Sequence, residues 1–157
     1  MYADIFEGDL LLEDSPDFGE IKIENGLFIC DRSFDTSVYI SLFGGNKDDN
    51  GKVENKKTWW GNTITGTPEN EKMVSRFQNI IFSLPMTSKN ILAARNAAFL
   101  DLKWIIDEKI ANKIDVSGRA SGNKLFKLGI LIISEDKTIY NNAFSLFWEA
   151  GIYGKTI

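Results

Sequence analysis

Leu125-Phe126-Lys127-Leu128-Gly129-Ile130-Leu131-Ile132-Ile133 is the stretch on which the reading of the fold turns. Phe126, Leu128, Ile130 and Ile132 alternate along it, with Leu125, Leu131 and Ile133 between them, so a strand through these residues is apolar on both faces. A strand of that kind is expected to be covered on both sides. Before it, Lys113-Ile114-Asp115-Val116-Ser117 alternates as another strand, and Ser121-Gly122-Asn123 reads as the turn between them. After it, Glu135-Asp136-Lys137 is a turn and Thr138 to Trp148 forms a third strand. There Tyr140, Phe144, Leu146 and Trp148 alternate with Ile139, Ala143 and Phe147. Consecutive strands joined by short turns pair antiparallel, so the C-terminal part is a three-stranded antiparallel sheet.

Working back from the sheet, two helices are predicted. Thr67-Pro68-Glu69 combines a hydroxyl N-cap, a proline at the first helical position and an acid in the first turn. Met73, Val74, Phe77, Ile80, Ile81 and Leu84 follow at helical spacing, and Pro85 ends the run. Thr87-Ser88 caps the second helix, whose face carries Ile91, Leu92, Arg95, Ala98, Phe99, Leu102, Ile105 and Ile106 over roughly five turns, with Asn112 as its C-cap. The short link between them makes an antiparallel pair packed through these stripes.

Further back, Asp31-Arg32-Ser33-Phe34-Asp35 supplies N-caps for a short helix through Thr36 to Phe43, stopped at Gly44-Gly45. At the N-terminus, Glu20-Ile21-Lys22-Ile23-Glu24 alternates, and Asn25-Gly26 is a two-residue hairpin signal before Leu27-Phe28-Ile29-Cys30. The predicted fold is one α+β domain over residues 1–157. It has an N-terminal β-hairpin, a short helix, an antiparallel helix pair and the C-terminal three-stranded antiparallel sheet. A chain of 157 residues can bury about 68–70% of its unfolded surface without disulfides or metals.

Between the short helix and the helix pair runs Asn46 to Lys57, too polar to bury, and then Thr58-Trp59-Trp60-Gly61-Asn62. Adjacent indoles point in different directions on any regular element, so Trp59 and Trp60 with Gly61 read as a hydrophobic pin where the loop re-enters the core. Asn46, Asp48, Asn50 and Gly51 match the first half of a calcium loop. Position twelve is Lys57, where that site needs a bidentate glutamate, so no metal is expected.

Composition narrows the chemistry further. There is no histidine, which removes Ser-His-Asp and Cys-His catalysis and imidazole metal sites. Cys30 is the only cysteine and reads as small apolar packing. A net charge of −4 disfavours general phosphate-backbone binding, and no phosphate-binding glycine loop is present, so neither nucleic acid nor a nucleotide cofactor is expected. No apolar run is long enough for a membrane span, and the acidic start does not fit a signal peptide, which places the chain in the cytoplasm of the cell that makes it. Carboxylates are the remaining catalytic groups. Glu7 with Asp9, or Asp101 with Asp107, can be drawn as a glycosidase pair, but nothing singles them out, and no catalytic residue is assigned.

The order of several motifs resembles a family. Thr36-Ser37-Val38-Tyr39-Ile40-Ser41-Leu42-Phe43, a polar loop, Trp59-Trp60-Gly61-Asn62, Ser75-Arg76-Phe77, Ala97 to Glu108, Lys113-Ile114-Asp115-Val116 and Leu125 to Ile130 resemble the small baseplate wedge protein of Mu-like contractile phage tails. Asn62 stands where that family usually has an acid, and Leu84-Pro85-Met86 where it has a basic link. The resemblance implies the sheath-initiator class: a virion structural protein whose helical part joins other wedge proteins and whose C-terminal sheet templates the first ring of tail sheath. Its partners would be wedge and sheath proteins, not nucleic acid, membrane or a small molecule. Its place would be the virion tail baseplate of a phage, prophage or related contractile injection system, assembled in the bacterial host cytoplasm. Leu128, Ile130, Ile132, Phe144, Leu146 and Trp148 are the expected partner-binding residues, through protein-protein interaction. The alternative is a carboxylate-dependent, lysozyme-like glycosidase acting on cell-wall polymer.

Overall fold

A computed structural model describes residues 9–14, 19–31, 34–44, 64, 66, 68, 73–122 and 124–148. The pin residues Trp59, Trp60 and Gly61, and the Asn46 to Lys57 loop, lie outside the described residues. The described residues form an α+β fold: an antiparallel β-hairpin layer, three helices with a one-turn fourth, and a C-terminal three-stranded antiparallel sheet.

The N-terminal layer holds six short strands, β1 (Asp9–Leu10), β2 (Leu12–Asp14), β3 (Gly19–Ile21), β4 (Ile23–Glu24), β5 (Leu27–Phe28) and β6 (Cys30–Asp31). Asn25 and Gly26 have φ of 52° and 78°, the two positive values a primed hairpin turn requires, and they close the expected β4–β5 hairpin. Two more antiparallel arms, β1–β6 and β2–β3, complete the layer. The arms meet at Leu11, Lys22 and Ile29, whose main chains bond in a ring. Leu11 N–H donates to Ile29 O (2.9 Å), Ile29 N–H to Lys22 O (3.0 Å) and Lys22 N–H to Leu11 O (2.8 Å). The ring satisfies the backbone groups that three diverging strand pairs would otherwise leave open.

Helix α1 spans Asp35–Phe43 and buries Val38 and Leu42. Its N-cap is Phe34, without a side-chain cap; Thr36 instead donates from Oγ1 to Leu10 O at 2.6 Å and ties the helix to β1. Gly44 ends it at φ −84°, so glycine is needed there for space and not for a left-handed turn: a Cβ would lie 2.8 Å from Met73 Sδ.

Helix α2 spans Arg76–Ser83, so the predicted run is corrected at Met73 and Val74, which precede the helix; the predicted cap Thr67 and the Glu69 of its first turn lie outside the described residues. Ser75 is the actual cap. Its Oγ accepts Gln78 N–H at 3.3 Å while its hydroxyl donates to Leu42 O, so one buried side chain both starts α2 and holds it to α1. Phe77, Ile81 and Phe82 are buried; Leu84 is exposed. Helix α3 spans Ser88–Leu102 and starts as predicted, with Thr87 Oγ1 accepting Asn90 N–H at 3.2 Å. It breaks at Lys103, and a one-turn α4 (Trp104–Asp107) follows. The predicted single helix through Ile106 with an Asn112 cap is therefore shortened. Lys109, at φ 60°, turns the chain out of the helical run, and Asn112 N–H bonds Ile133 O in the sheet. The face of α3 toward the core is also rotated from the predicted stripe: Ala94, Ala97, Ala98 and Leu102 are buried, while Leu92 is 54% exposed. Small alanines let α3 lie close to both α2 and the sheet, and this close packing outweighs the larger residues on its outer side.

The sheet is ordered β7 (Lys113–Ala120), β8 (Leu125–Ser134), β9 (Lys137–Phe147), antiparallel throughout. Glu135 and Asp136, at φ 49° and 64°, form the β8–β9 turn. Phe126, Leu128, Ile130 and Ile132 turn inward with Ile114, Tyr140, Leu146 and Trp148, forming one core with the inner faces of the helices. The helices cover one face of β8, and Leu125, Leu131 and Ile133 are half-buried on the other.

Candidate functional site

Because β8 side chains alternate strictly, burying Phe126 and Leu128 sends Lys127 and Gly129 to the opposite face. That places the six expected partner-binding residues. Leu128, Ile130, Ile132, Leu146 and Trp148 are at most 3% exposed, and Phe144 packs edge-on to Phe43 of α1 at 5.9 Å between centroids. The assignment of direct partner contact to these side chains is therefore corrected: they form the chain's own core, because the helices claim that face of the sheet. Trp148 is fastened twice, by ring contact with Phe126 (5.1 Å) and by Nε1–H donating to Leu84 O at 2.6 Å.

Two other features of the sheet lie outside the core. One is the outer edge of β9, whose ladder partner among the described residues is β8 alone. Trp148 N–H turns inward to Lys124 O at 2.7 Å, and Ala143 N–H is taken by Asn142 Oδ1 at 2.8 Å. In an antiparallel ladder the direction alternates by residue, so Asn141, Ala143, Ser145 and Phe147 point their N–H groups away from β8. Asn142 blunts this edge in the middle, covering the Ala143 N–H while its Nδ2 donates to Asp35 of α1 at 3.2 Å.

The second is the face opposite the core. Register places rows across it: Lys113 with Ile133; Asp115, Leu131 and Asn141; Ser117, Gly129 and Ala143; Arg119, Lys127 and Ser145; Leu125 and Phe147. Gly129 keeps the middle row flat, since a Cβ there would meet Ser117 Oγ at 2.6 Å.

The carboxylates have structural settings. Asp101 of α3 is fully enclosed; one oxygen accepts Phe77 N–H at 2.8 Å and the other accepts from Arg76 Nη1 at 3.0 Å. It thus caps the start of α2 from the end of α3, and this contact shows the two helices to be antiparallel. Burial pushes its pKa up to about 6, against the pull of the Phe77 and Arg76 N–H groups and the Arg76 charge. Asp107 lies on the surface, paired with Lys103 one turn away, so Asp101 and Asp107 do not share a cleft. Glu7 lies outside the described residues, and Asp9 is a β1 residue opposite Asp31. The Tyr140 hydroxyl is buried near Asp35 and Asn142, and burial together with the Asp35 carboxylate raises its pKa. Cys30 is a free, half-buried thiol in β6. Among the described residues no group of three acidic or thiol side chains could hold a metal, and no helix is long and apolar enough to cross a membrane.

Sequence reading missed the capping role of Asp101, although one signal was present: it falls on the alanine stripe, three residues after Ala98 and four after Ala97. An acid on a buried face is costly unless it is bonded. Comparison with protein-family models, curated proteins and solved structures found no match.

Proposed function

We propose that this chain is a non-catalytic structural component of a contractile phage tail baseplate, joining the wedge and templating the first sheath ring through its C-terminal sheet. The observation that carries the reading is the position of β9. It is the longest strand, it lies at the sheet's edge, and it directs a row of N–H groups outward. A strand from a partner chain adding to that edge would gain main-chain bonds without disturbing the core beneath it. The motif order set out above gives the edge its context, with the helices as the wedge-facing part. Leu92 and Leu100, about half exposed on the outer side of α3, are available for that contact.

Against the glycosidase reading stands the setting of Asp101. A general acid with a raised pKa must reach substrate, and this carboxyl is enclosed with both oxygens bonded.

The test uses an edge-blocking substitution. Deleting residues 138 to 157 would remove Tyr140, Leu146 and Trp148 from the core and unfold the protein, so truncation cannot separate folding from assembly. Ser145→Pro removes an outward N–H and leaves the β8 ladder in place. Tagged wild-type protein, expressed with a complete tail gene cluster, should co-purify wedge and sheath chains. The Ser145→Pro variant should keep the wedge and lose the sheath. Retention of sheath by a folded Ser145→Pro protein would sink the edge-templating role.

A further inference from the structure

The outer face of the C-terminal sheet carries an arrangement that folding alone does not call for. Arg119 of β7 and Lys127 of β8 are direct cross-strand partners on that face. Like charges placed directly opposite one another destabilise a sheet, and neither side chain has an acidic partner among the described residues. Three rows away, Lys113 is relieved by Asp115 at 2.6 Å, so the same face shows what a neutralised cation looks like. The unrelieved pair is bordered on one side by Leu125 and the 37% exposed Phe147, and on the other by the flat Ser117–Gly129–Ala143 row leading to Leu131 and Ile133. Concentrated positive charge on a chain of net −4, set between half-exposed apolar residues, is the complement of an acidic segment with apolar side chains.

We propose that this face is a docking surface for an acidic, apolar protein segment, whose carboxylates pair with Arg119 and Lys127 and whose apolar side chains cover Leu125, Phe147 and Leu131. A nucleic acid fits less well. Phosphate tracking needs a run of cations, and the apolar border would stay wet against a phosphate backbone. The inference rests on the assembly reading only in taking the partner to be a protein. It uses the face of the sheet, whereas templating uses the β9 edge.

The experiment compares the full-length protein with three variants. Arg119→Glu and Lys127→Glu each place an acid opposite a base, so each should fold at least as well as wild type while losing the anion site. Lys89→Glu/Lys137→Glu makes a larger change in net charge at exposed positions away from the face. The probes are a fluorescein-labelled peptide of alternating Glu with Leu and Phe, and a labelled oligothymidine, followed by fluorescence anisotropy at low and physiological salt. The wild type should bind the peptide, Arg119→Glu and Lys127→Glu should each weaken it at least fivefold with a melting temperature unchanged or raised, and the double control should stay within twofold. Absence of wild-type binding, equal loss in the control, or wild-type affinity in Arg119→Glu would overturn the proposal. So would oligothymidine binding as tight as the peptide and lost in the same variants. Because Arg119 is not on β9, sheath loss in Ser145→Pro with unchanged peptide binding in Arg119→Glu would leave templating standing and this face refuted. The converse pattern would refute templating and keep the face.

Discussion

Replacing Asp101 by asparagine isolates the energetics of the one buried acid in the helix pair. In the folded chain its pKa is about 6, against the ordinary 3.8. A native pKa above the unfolded value means that the native state holds the proton more tightly. Stability from this group is therefore fully present below about pH 4 and is lost as pH rises through 6. The shift of about two units corresponds to roughly 3 kcal/mol over the whole range, and roughly 2–3 kcal/mol between pH 4 and pH 7. Asparagine keeps the shape and one acceptor for the Phe77 N–H but does not titrate. Urea unfolding of wild type and Asp101→Asn, followed by tryptophan fluorescence at pH 4, 5, 6 and 7, gives the stability difference at each pH. Low protein concentration limits association near the pI of about 4.9. The wild-type advantage should shrink, or turn into a deficit, by roughly 2–3 kcal/mol from pH 4 to pH 7. A wild-type advantage that grows with pH would refute the reasoning. It would mean that the Arg76 guanidinium and the helix N–H groups outweigh burial and hold the carboxyl below its ordinary value.

Four other substitutions test the packing and the backbone. At Gly118 an added Cβ would lie 2.7 Å from both Arg95 Cγ and Phe126 Cζ, inside the core, so Gly118→Ala should cost about 1–3 kcal/mol in chemical denaturation. At Gly129 an added Cβ would meet the Ser117 side chain, its Oγ at 2.6 Å and its Cβ at 4.0 Å, and the hydroxyl can rotate away, so Gly129→Ala should change stability by less than about 1 kcal/mol. Equal costs at the two glycines would show that the core face and the outer face have been interchanged. Trp148→Ala removes a 3% exposed indole together with its bond to Leu84 O, and a thermal melt should register a loss of about 3–5 kcal/mol. A loss near zero would mean that the end of β9 is not part of the core. Gly26→Ala forces a side chain into φ 78° with open space around it, so its cost of about 1 kcal/mol should come from backbone strain alone.

Periodicity and turn chemistry are local properties, and wherever they governed an element the amino-acid sequence determined it by itself. The alternation of Phe126 to Ile132, the positive-φ turns at Asn25-Gly26 and Glu135-Asp136, and the Thr87 cap all appear where the residues place them. The α+β class and the antiparallel sheet follow from them. What periodicity could not supply was which of two equally apolar surfaces would be covered. Leu92 and Ala94 both lie on plausible faces of α3, and the alanine face won because only small side chains let the helix approach α2 and the sheet together. The same competition put Leu128, Ile130 and Ile132 against the helices and left the Arg119–Lys127 face open. The start of α2 was decided in the same way. Met73 and Val74 share the helical spacing of Phe77 and Ile81, but α2 begins at Arg76 behind the Ser75 cap, where Leu42 from α1 and Asp101 from α3 supply partners far away in sequence. Local rules count only neighbours along the chain; burial and capping energies depend on neighbours in space, and those exist only once the chain has folded.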